Sequence, residues 1–203
     1  ESLTGDIIFK VPNLVIESLY VQQIQLMLLP EPRDRDDGEF AGKQVYQHGN
    51  MQPLCDFVEQ RYFTVLNNRD YKWANELTVK TAFLTLLYND ILYIMDSEAE
   101  INRRYADLTM IIRPDKKYLQ IFDVLIEFKF ISLKKAKITA EDAKKLSKEQ
   151  LFNMSVIRQS LENGEKQVIE YAQKLNDKFG NLRLKKFVVA SLGFERICFK
   201  KIA

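Results

Sequence analysis

The feature that most constrains this chain is an apolar stretch, residues 119–131, that carries charged groups inside it. Its many Ile, Leu, Val and Phe side chains are typical of a strand buried on both faces. A second apolar run, residues 107–113, precedes it, and the polar residues between them predict an antiparallel hairpin. Asp107, Glu127 and Lys129 interrupt these two strands. Burying a charge costs free energy unless it is paired or bound to a metal, so these three residues need a reason to be there.

The register of this hairpin predicts that the two carboxylates lie next to each other. If the turn centres near residues 116–117, the numbers of opposed residues sum to roughly 233, which places Asp107 beside Ile126 and Glu127. Because side chains alternate between faces, Glu127 and Lys129 project to one face of the sheet and Phe128 to the other. A pair of carboxylates with a nearby ammonium group can hold a divalent cation and stabilise an anion beside it.

The remaining chain predicts helices around this sheet, with one irregular segment. Helical patterns cover residues 14–29, with Asn13 as cap, then a segment that begins at Pro53, then residues 75–89 and 140–179. Shorter strands are expected over residues 91–95, 183–191 and 194–202. The fold class is therefore mixed α/β, with a central mixed sheet flanked by helices and an N-terminal helical appendage.

Residues 30–42 predict a linker, because they contain two prolines, two glycines and seven charges. This divides the chain into an N-terminal segment, residues 1–42, and a larger domain, residues 43–203. The helix at residues 14–29 is apolar around most of its circumference, which is typical of a buried helix. It either packs on the larger domain or presents a face that an upstream module covers.

Composition sets the class of protein and excludes some chemistry. The 203 residues are 46% hydrophobic and 29% charged, as expected for a soluble globular protein. No apolar run approaches the ~18 residues that span a bilayer, and no signal peptide opens the chain, so a cytoplasmic location without membrane contact is expected. The first residue is Glu rather than Met, which suggests a fragment of a longer protein. With His48 as the only histidine, and Cys55 and Cys198 far apart, zinc bound by soft ligands and Ser-His-Asp catalysis are poorly supported.

A basic segment follows the second strand of the hairpin. It carries Lys134, Lys135 and Lys137, and then Lys144, Lys145 and Lys148. Such a cluster can attract a phosphate backbone, although a solvated lysine-rich surface explains it equally well.

The order of the charged residues resembles a known nuclease superfamily. Asp107, followed by Glu127-Phe128-Lys129 on the next strand and preceded by Glu76 on a helix, resembles the PD-(D/E)xK nuclease superfamily. The strings SEAEINRRYADL and IFDVLIEFKF are similar to the nuclease-like domain at the carboxyl end of bacterial proteins that begin with an AAA-type ATPase-like module. The resemblance covers roughly residues 70–200. It implies a restriction-endonuclease-like core and an upstream ATPase-like partner. The literal Pro114-Asp115 pair is assigned to the turn instead, since both residues favour turns.

The resemblance also implies a metal site and a role for each residue. Asp107, Glu127 and the Phe128 backbone carbonyl would hold Mg²⁺ or Mn²⁺, and Lys129 would orient or deprotonate the attacking water. Glu76 would bind a metal directly or through water, or else it simply stabilises the amino end of its helix.

Four further residues are assigned supporting roles. Gln167 and Tyr171 lie four residues apart on one helix face, where the family often has a Gln-and-Tyr pattern that supports the site. An exposed amide and a half-buried ring are the alternatives. Glu100 matches a frequent acid of the family and Arg104 is a candidate phosphate contact, although loop salt bridges explain both nearly as well.

These residues predict a metal-dependent nuclease that hydrolyses phosphodiester bonds, with DNA favoured over RNA. The alternative is a catalytically silent nuclease-fold module that binds or regulates within an ATPase-like protein. A purely structural dimerisation domain, in which the three charged residues form a buried ion network, would have no metal site. The oligomeric state is left open.

Overall fold

The computed structural model describes residues 14–67, 75–96, 99–101 and 104–203. Within these residues, a five-stranded mixed sheet is flanked by helices, which confirms the predicted fold class. The α-helices are α1 (Leu14–Leu28), α2 (Pro32–His48), α3 (Gln52–Phe57), α4 (Phe63–Asn67), α5 (Glu76–Leu87), α6 (Leu133–Ala136), α7 (Ala140–Lys145), α8 (Lys148–Asn153) and α9 (Ser155–Phe179). A π-helix, Val58–Tyr62, joins α3 to α4. The strands are β1 (Tyr93–Asp96), β2 (Ala99–Ile101), β3 (Arg104–Ala106), β4 (Leu108–Ile112), β5 (Asp123–Ile131), β6 (Leu184–Leu192) and β7 (Arg196–Ile202).

Strand β5 lies at the centre of the sheet, whose order is β1-β4-β5-β6-β7. It pairs antiparallel with β4 on one side and parallel with β6 on the other. Leu108 lies opposite Ile126, so the observed register differs by one residue from the predicted one. Extended by one residue, this register brings Asp107 opposite Glu127. The hairpin prediction is confirmed. The literal Pro114-Asp115 pair lies in a 3-10 turn between the two strands, also as predicted.

The two faces of β5 pack against different helices. Ile126 and Phe128 belong to the core shared with α5, where the rings of Phe83 and Phe128 have centroids 5.1 Å apart. Leu125 and Ile131 belong to the core shared with α9. Because Glu127 lies between Ile126 and Phe128 in a strand, its side chain projects to the α9 face, as the alternation predicted.

The ends of the flanking elements follow ordinary capping chemistry. The Asn75 side chain accepts a hydrogen bond from the Thr78 backbone N–H and so caps α5. Thr139 caps α7 in the same way, and its hydroxyl also donates to the Asp142 carboxylate. Gly193, with a φ of 56°, makes the turn between β6 and β7 in the left-handed conformation that favours glycine. The predicted closing hairpin is therefore confirmed.

The prediction of a linker over residues 30–42 is wrong, because most of this segment lies in α2. Its glycines serve helix packing rather than a turn. A Cβ on Gly38 would lie 2.7 Å from Leu86 Cδ2, and one on Gly42 would lie 2.6 Å from the Leu86 carbonyl oxygen. Only a residue without a side chain permits this approach to α5. The assignment of residues 1–42 to a separate module stays a prediction.

Helix α1 is only partly covered. It packs against α5, and the Gln25 side chain donates to the Thr85 carbonyl. Four of its apolar side chains are nevertheless exposed: Leu19, Tyr20, Leu26 and Met27. The proposed cap Asn13 lies outside the described residues. Among the helices that the structure describes, none has the length and apolar character needed to cross a membrane.

Candidate active site

The candidate site lies where β5 extends beyond the end of β4. The β4–β5 pairing ends at Leu108 and Ile126, so the following residues of β5 lose this backbone partner. The Asp107 carboxylate takes its place, and its Oδ2 accepts a hydrogen bond from the Phe128 N–H at 2.7 Å. Because the N–H and C=O groups of one residue point to the same side of a strand, the Phe128 carbonyl is directed toward this side as well.

Glu127 and Lys129 meet on the α9 face of β5. The Lys129 Nζ donates to the Glu127 Oε1 at 2.7 Å, and the exposed fractions of the two side chains are 21% for Lys129 and 3% for Glu127. The other carboxylate oxygen, Glu127 Oε2, is buried and has no hydrogen-bond partner among the described residues. A buried charged group with an unsatisfied oxygen is costly to the fold.

Asp107 is close to Glu127, because its carboxylate accepts from the N–H of Phe128, the residue after Glu127. Burial raises the pKa of Glu127 from 4.5 to about 7, the negative charge of Asp107 contributes to that rise, and the hydrogen bond from Lys129 offsets part of it. A buried acid whose pKa is raised by the charge of a neighbouring acid is a frequent feature of functional sites. The structure therefore brings together the two carboxylates that the register predicted to be neighbours.

Glu76 approaches the same site from the first turn of α5. Burial raises its pKa, as does the charge of Asp107, whereas Lys129 and a hydrogen bond from the Phe130 backbone lower it. Glu76 therefore interacts electrostatically with Asp107 and Lys129. Its position in the first helical turn also fits the simpler role at the helix amino end, so both interpretations stand.

Sequence reasoning gave no role to Lys80, which lies one turn after Glu76 on α5. Its exposed fraction is 6%, and its charge helps to lower the pKa of Glu76. Lysine is rarely buried to this extent without a paired group. The available signal was the four-residue spacing of Glu76 and Lys80, which places them on one helix face within an apolar pattern.

Gln167 and Tyr171 reach the site from α9. Tyr171 has an exposed fraction of 3%. Burial raises its pKa most, the charge of Glu127 raises it next, and a hydrogen bond with the Gln167 side chain lowers it. The two residues are thus in contact with each other, and the Tyr171 ring lies close to Glu127.

No protein-family model, curated protein or solved structure matches this chain. The resemblance to PD-(D/E)xK nucleases therefore depends on the motif residues and on their geometry alone.

The small hairpin β2–β3 carries two of the predicted supporting residues. Glu100 lies opposite Tyr105, and Ile101 opposite Arg104, in an antiparallel register. The side chains of Glu100 and Arg104 lie outside the described part of the structure, so their predicted roles stay predictions.

The predicted basic cluster separates into two groups. Lys134, Lys135 and Lys137 are exposed on and just after α6, the short helix that follows β5. Lys144 and Lys148 instead form ion pairs, the first with Glu195 at 3.3 Å and the second with Asp56 at 2.6 Å. The group that directly follows β5 is therefore the better candidate for contact with a phosphate backbone.

The site offers only a few oxygen ligands to a hard divalent cation. In the ranges that the structure describes, no group of three or more His, Cys, Asp or Glu side chains is arranged to hold a metal ion. The candidate set is thus two carboxylates, Asp107 and Glu127, with the Phe128 carbonyl. The unpartnered Glu127 Oε2 fits such a cation, and Mg²⁺ prefers oxygen ligands and keeps several of its waters.

Proposed function

We propose that this chain is a metal-dependent nuclease that hydrolyses phosphodiester bonds, with DNA as the favoured substrate and Mg²⁺ or Mn²⁺ as its cofactor. One observation carries the proposal: Glu127 is 3% exposed, its Oε2 lacks a hydrogen-bond partner among the described residues, and Asp107 raises its pKa. Two crowded carboxylates in a poorly solvated site favour a cation between them.

A purely structural ion network accounts less well for this arrangement. Buried ion pairs stabilise a fold weakly, and replacing them with apolar side chains is often neutral or favourable. A structural network would also satisfy its oxygens, whereas one oxygen of Glu127 has no hydrogen bond within the described residues. The arrangement is better explained by a ligand that supplies positive charge.

The described side chains have complementary roles in this proposal. When bound, the metal ion would lower the pKa of a water molecule and shield the charge of the phosphate. Asp107 and Glu127 would hold it, together with the Phe128 carbonyl. Lys129 would orient the attacking water and offset negative charge that develops on the phosphate. Tyr171 and Gln167 would hold the helix α9 side of the site in place.

Four further expectations belong to the proposal. The core would be restriction-endonuclease-like, supported by a five-stranded mixed sheet with helices on both faces. An ATPase-like module would precede this chain in the full-length protein, and the protein would act in the cytoplasm. The exposed lysines of α6 would contact the nucleic-acid backbone.

Cleavage assays with matched lysine variants test the proposal. Labelled DNA and RNA oligonucleotides would be incubated with Mn²⁺ or with a chelator, using the wild type, Lys129→Ala and Lys117→Ala. Lys117 is an exposed lysine in the turn at the other end of β5 and serves as the control. We expect metal-dependent cleavage that falls by about 100-fold or more in Lys129→Ala only. Cleavage that survives this substitution would contradict the assignment.

The catalytically silent module is the second candidate. It is favoured by the fact that Lys129 already pairs with Glu127 and that no third described carboxylate completes a metal site. This candidate predicts nucleic-acid binding that needs no metal, with no cleavage of either oligonucleotide.

A further inference from the structure

Helix α9 contains a glycine at a position where a helix does not favour one. Gly164 lies near the middle of the 25 residues of α9, and the helix continues through it without interruption. Glycine inside a helix is destabilising relative to alanine, because it loses more backbone freedom on folding. Such a residue requires a compensating role in packing or function.

The packing of Gly164 is very close. A Cβ at this position would lie 2.5 Å from Val188 Cγ1 and 3.3 Å from Val188 Cγ2. The first distance is too short for any pair of non-bonded carbon atoms, so alanine would require a shift of the helix or the strand. The missing side chain therefore allows α9 to lie closer to β6 than any other residue would permit.

This close contact occurs beside the candidate site. In the parallel pairing of β5 and β6, Val188 is the partner of Glu127, and Ala190 is the partner of Lys129. The same added Cβ on Gly164 would lie 3.5 Å from Lys129 Cε, an ordinary contact distance. The Cε atom of Lys129 thus lies beside α9 at Gly164.

The same helix face leads to the other supporting residues. Gly164, Val168 and Tyr171 are all buried, at the spacing of one face of a helix. Tyr171 is close enough to Glu127 for the charge of Glu127 to raise its pKa. A change in the distance between α9 and the sheet at Gly164 would therefore change the positions of both the Lys129 and the Tyr171 side chains.

We propose that Gly164 is a positioning residue. Because it allows α9 to contact Val188 directly, the helix confines the Lys129 side chain and keeps its ammonium group hydrogen-bonded to Glu127. Its role in catalysis rests on the proposed function, whereas the confinement of Lys129 is a property of the fold and can be measured separately.

The test uses Gly164→Ala, its double variant with Val188→Ala, and a helix control. Val188→Ala removes the two methyl groups that the new Cβ would meet, so it should restore the position of α9. Asn163→Ala is the control, because Asn163 is the exposed neighbour of Gly164 in the same helix. It raises the helix propensity without changing the packed face.

The first readout does not depend on activity. Reductive methylation followed by mass spectrometry measures how fast each lysine is modified in the folded protein. We expect Lys129 to be modified several-fold faster in Gly164→Ala, and at the wild-type rate in the double variant and in Asn163→Ala. A wild-type rate for Lys129 in a folded Gly164→Ala protein would overturn the proposal.

Folding of the variants is followed by circular dichroism and thermal melting. If Gly164→Ala fails to fold, a folded double variant with wild-type protection of Lys129 supports the proposal. Failure of the double variant to fold contradicts it, because the contact with Val188 would then not be the reason for glycine.

The second readout is cleavage of a labelled duplex DNA oligonucleotide with Mn²⁺. We expect kcat to fall by about 100-fold in Gly164→Ala with little change in KM, and to recover in the double variant, since small misplacements of a catalytic group have effects of this size. If the wild type cleaves nothing but the methylation pattern is as expected, the proposed function fails and the confinement of Lys129 stands.

Discussion

Strand β5 contains two buried carboxylates, four residues apart, whose surroundings differ. Asp123 and Glu127 have exposed fractions of 4% and 3%. Both oxygens of Asp123 are satisfied: Oδ1 accepts from the Ile112 N–H at 2.8 Å, and Oδ2 accepts from the Arg183 N–H at 2.9 Å. Within the described residues, Glu127 accepts from Lys129 with one oxygen only. Equal burial thus accompanies complete hydrogen bonding at the start of the strand and incomplete bonding at its middle.

The difference separates a structural acid from a candidate functional one. Asp123 connects the ends of β4, β5 and β6 through backbone N–H groups, which is a reason for a buried carboxylate that needs no ligand. Glu127 lies beside a second acid and has one oxygen without a hydrogen bond among the described residues. Its burial therefore destabilises the fold, and no structural role explains it. Hydrogen-bond completeness, rather than burial, is the property that distinguishes them.

The sharpest way to test this comparison is to replace each acid with its amide. Asp123→Asn keeps one acceptor oxygen but places an NH2 donor against one of the two backbone N–H groups, so we expect a loss of about 3 kcal/mol in the free energy of unfolding. Glu127→Gln removes a poorly solvated charge next to Asp107 and should leave stability equal to the wild type or raise it at pH 8. Urea unfolding of both variants measures the difference. Equal losses of unfolding free energy in the two variants would show that Asp123 and Glu127 do not differ in this way.

The pH dependence of stability should follow Glu127. Its pKa is about 7 in the folded chain against an ordinary value of 4.5, so the folded form binds the proton more readily. Protonation therefore favours folding, and the free energy of unfolding should fall by about 3 kcal/mol as pH rises from 4.5 through 7 to about 8. At higher pH this contribution should no longer change.

Comparison of the wild type with Glu127→Gln isolates that contribution. Urea unfolding at a series of pH values, without divalent metal, would show whether the fall between pH 4.5 and 7 is smaller in the variant. Identical pH profiles for the two proteins would mean that Glu127 titrates normally.

The smallest effect concerns the exposed lysines beyond the carboxyl end of β5. Replacing Lys134 and Lys135 with alanine should weaken binding to labelled DNA by about fivefold and reduce the salt dependence of binding by about two units of slope. The control replaces Lys116 and Lys117, which lie in the turn before β5. Fluorescence anisotropy over a range of salt concentrations measures both. An equal effect of the two double substitutions would indicate non-specific attraction only.

The geometry around β5 was predictable from sequence because it follows from local rules. Alternation of side chains fixes the faces of Glu127 and Lys129, and the turn position predicts, to within one residue, the register that brings Asp107 close. By contrast, the satisfied state of Asp123 depends on Arg183, which is 60 residues away in sequence. No local pattern carries that information.

The error in residues 30–42 has a similar cause. Glycine, proline and alternating charges are ordinary signs of a loop. Here Gly38 and Gly42 lie on the face of α2 that contacts Leu86, and the prolines stand before and at the start of the helix. Whether a glycine serves a turn or a close helix contact depends on a partner that the segment itself does not contain. The same holds for Gly164, whose partner Val188 lies on β6.

Whether Mn²⁺ binds between Asp107 and Glu127 decides if these two acids form a metal site. Crystals of the protein grown with Mn²⁺ would be examined by anomalous diffraction at the manganese absorption edge, with Glu127→Gln as the matched control. We expect one peak in the wild type, bound by the carboxylates of Asp107 and Glu127 and by the Phe128 carbonyl, and its loss in the variant. A wild-type crystal with no peak between these oxygens, or a peak that persists in Glu127→Gln, would contradict the metal site.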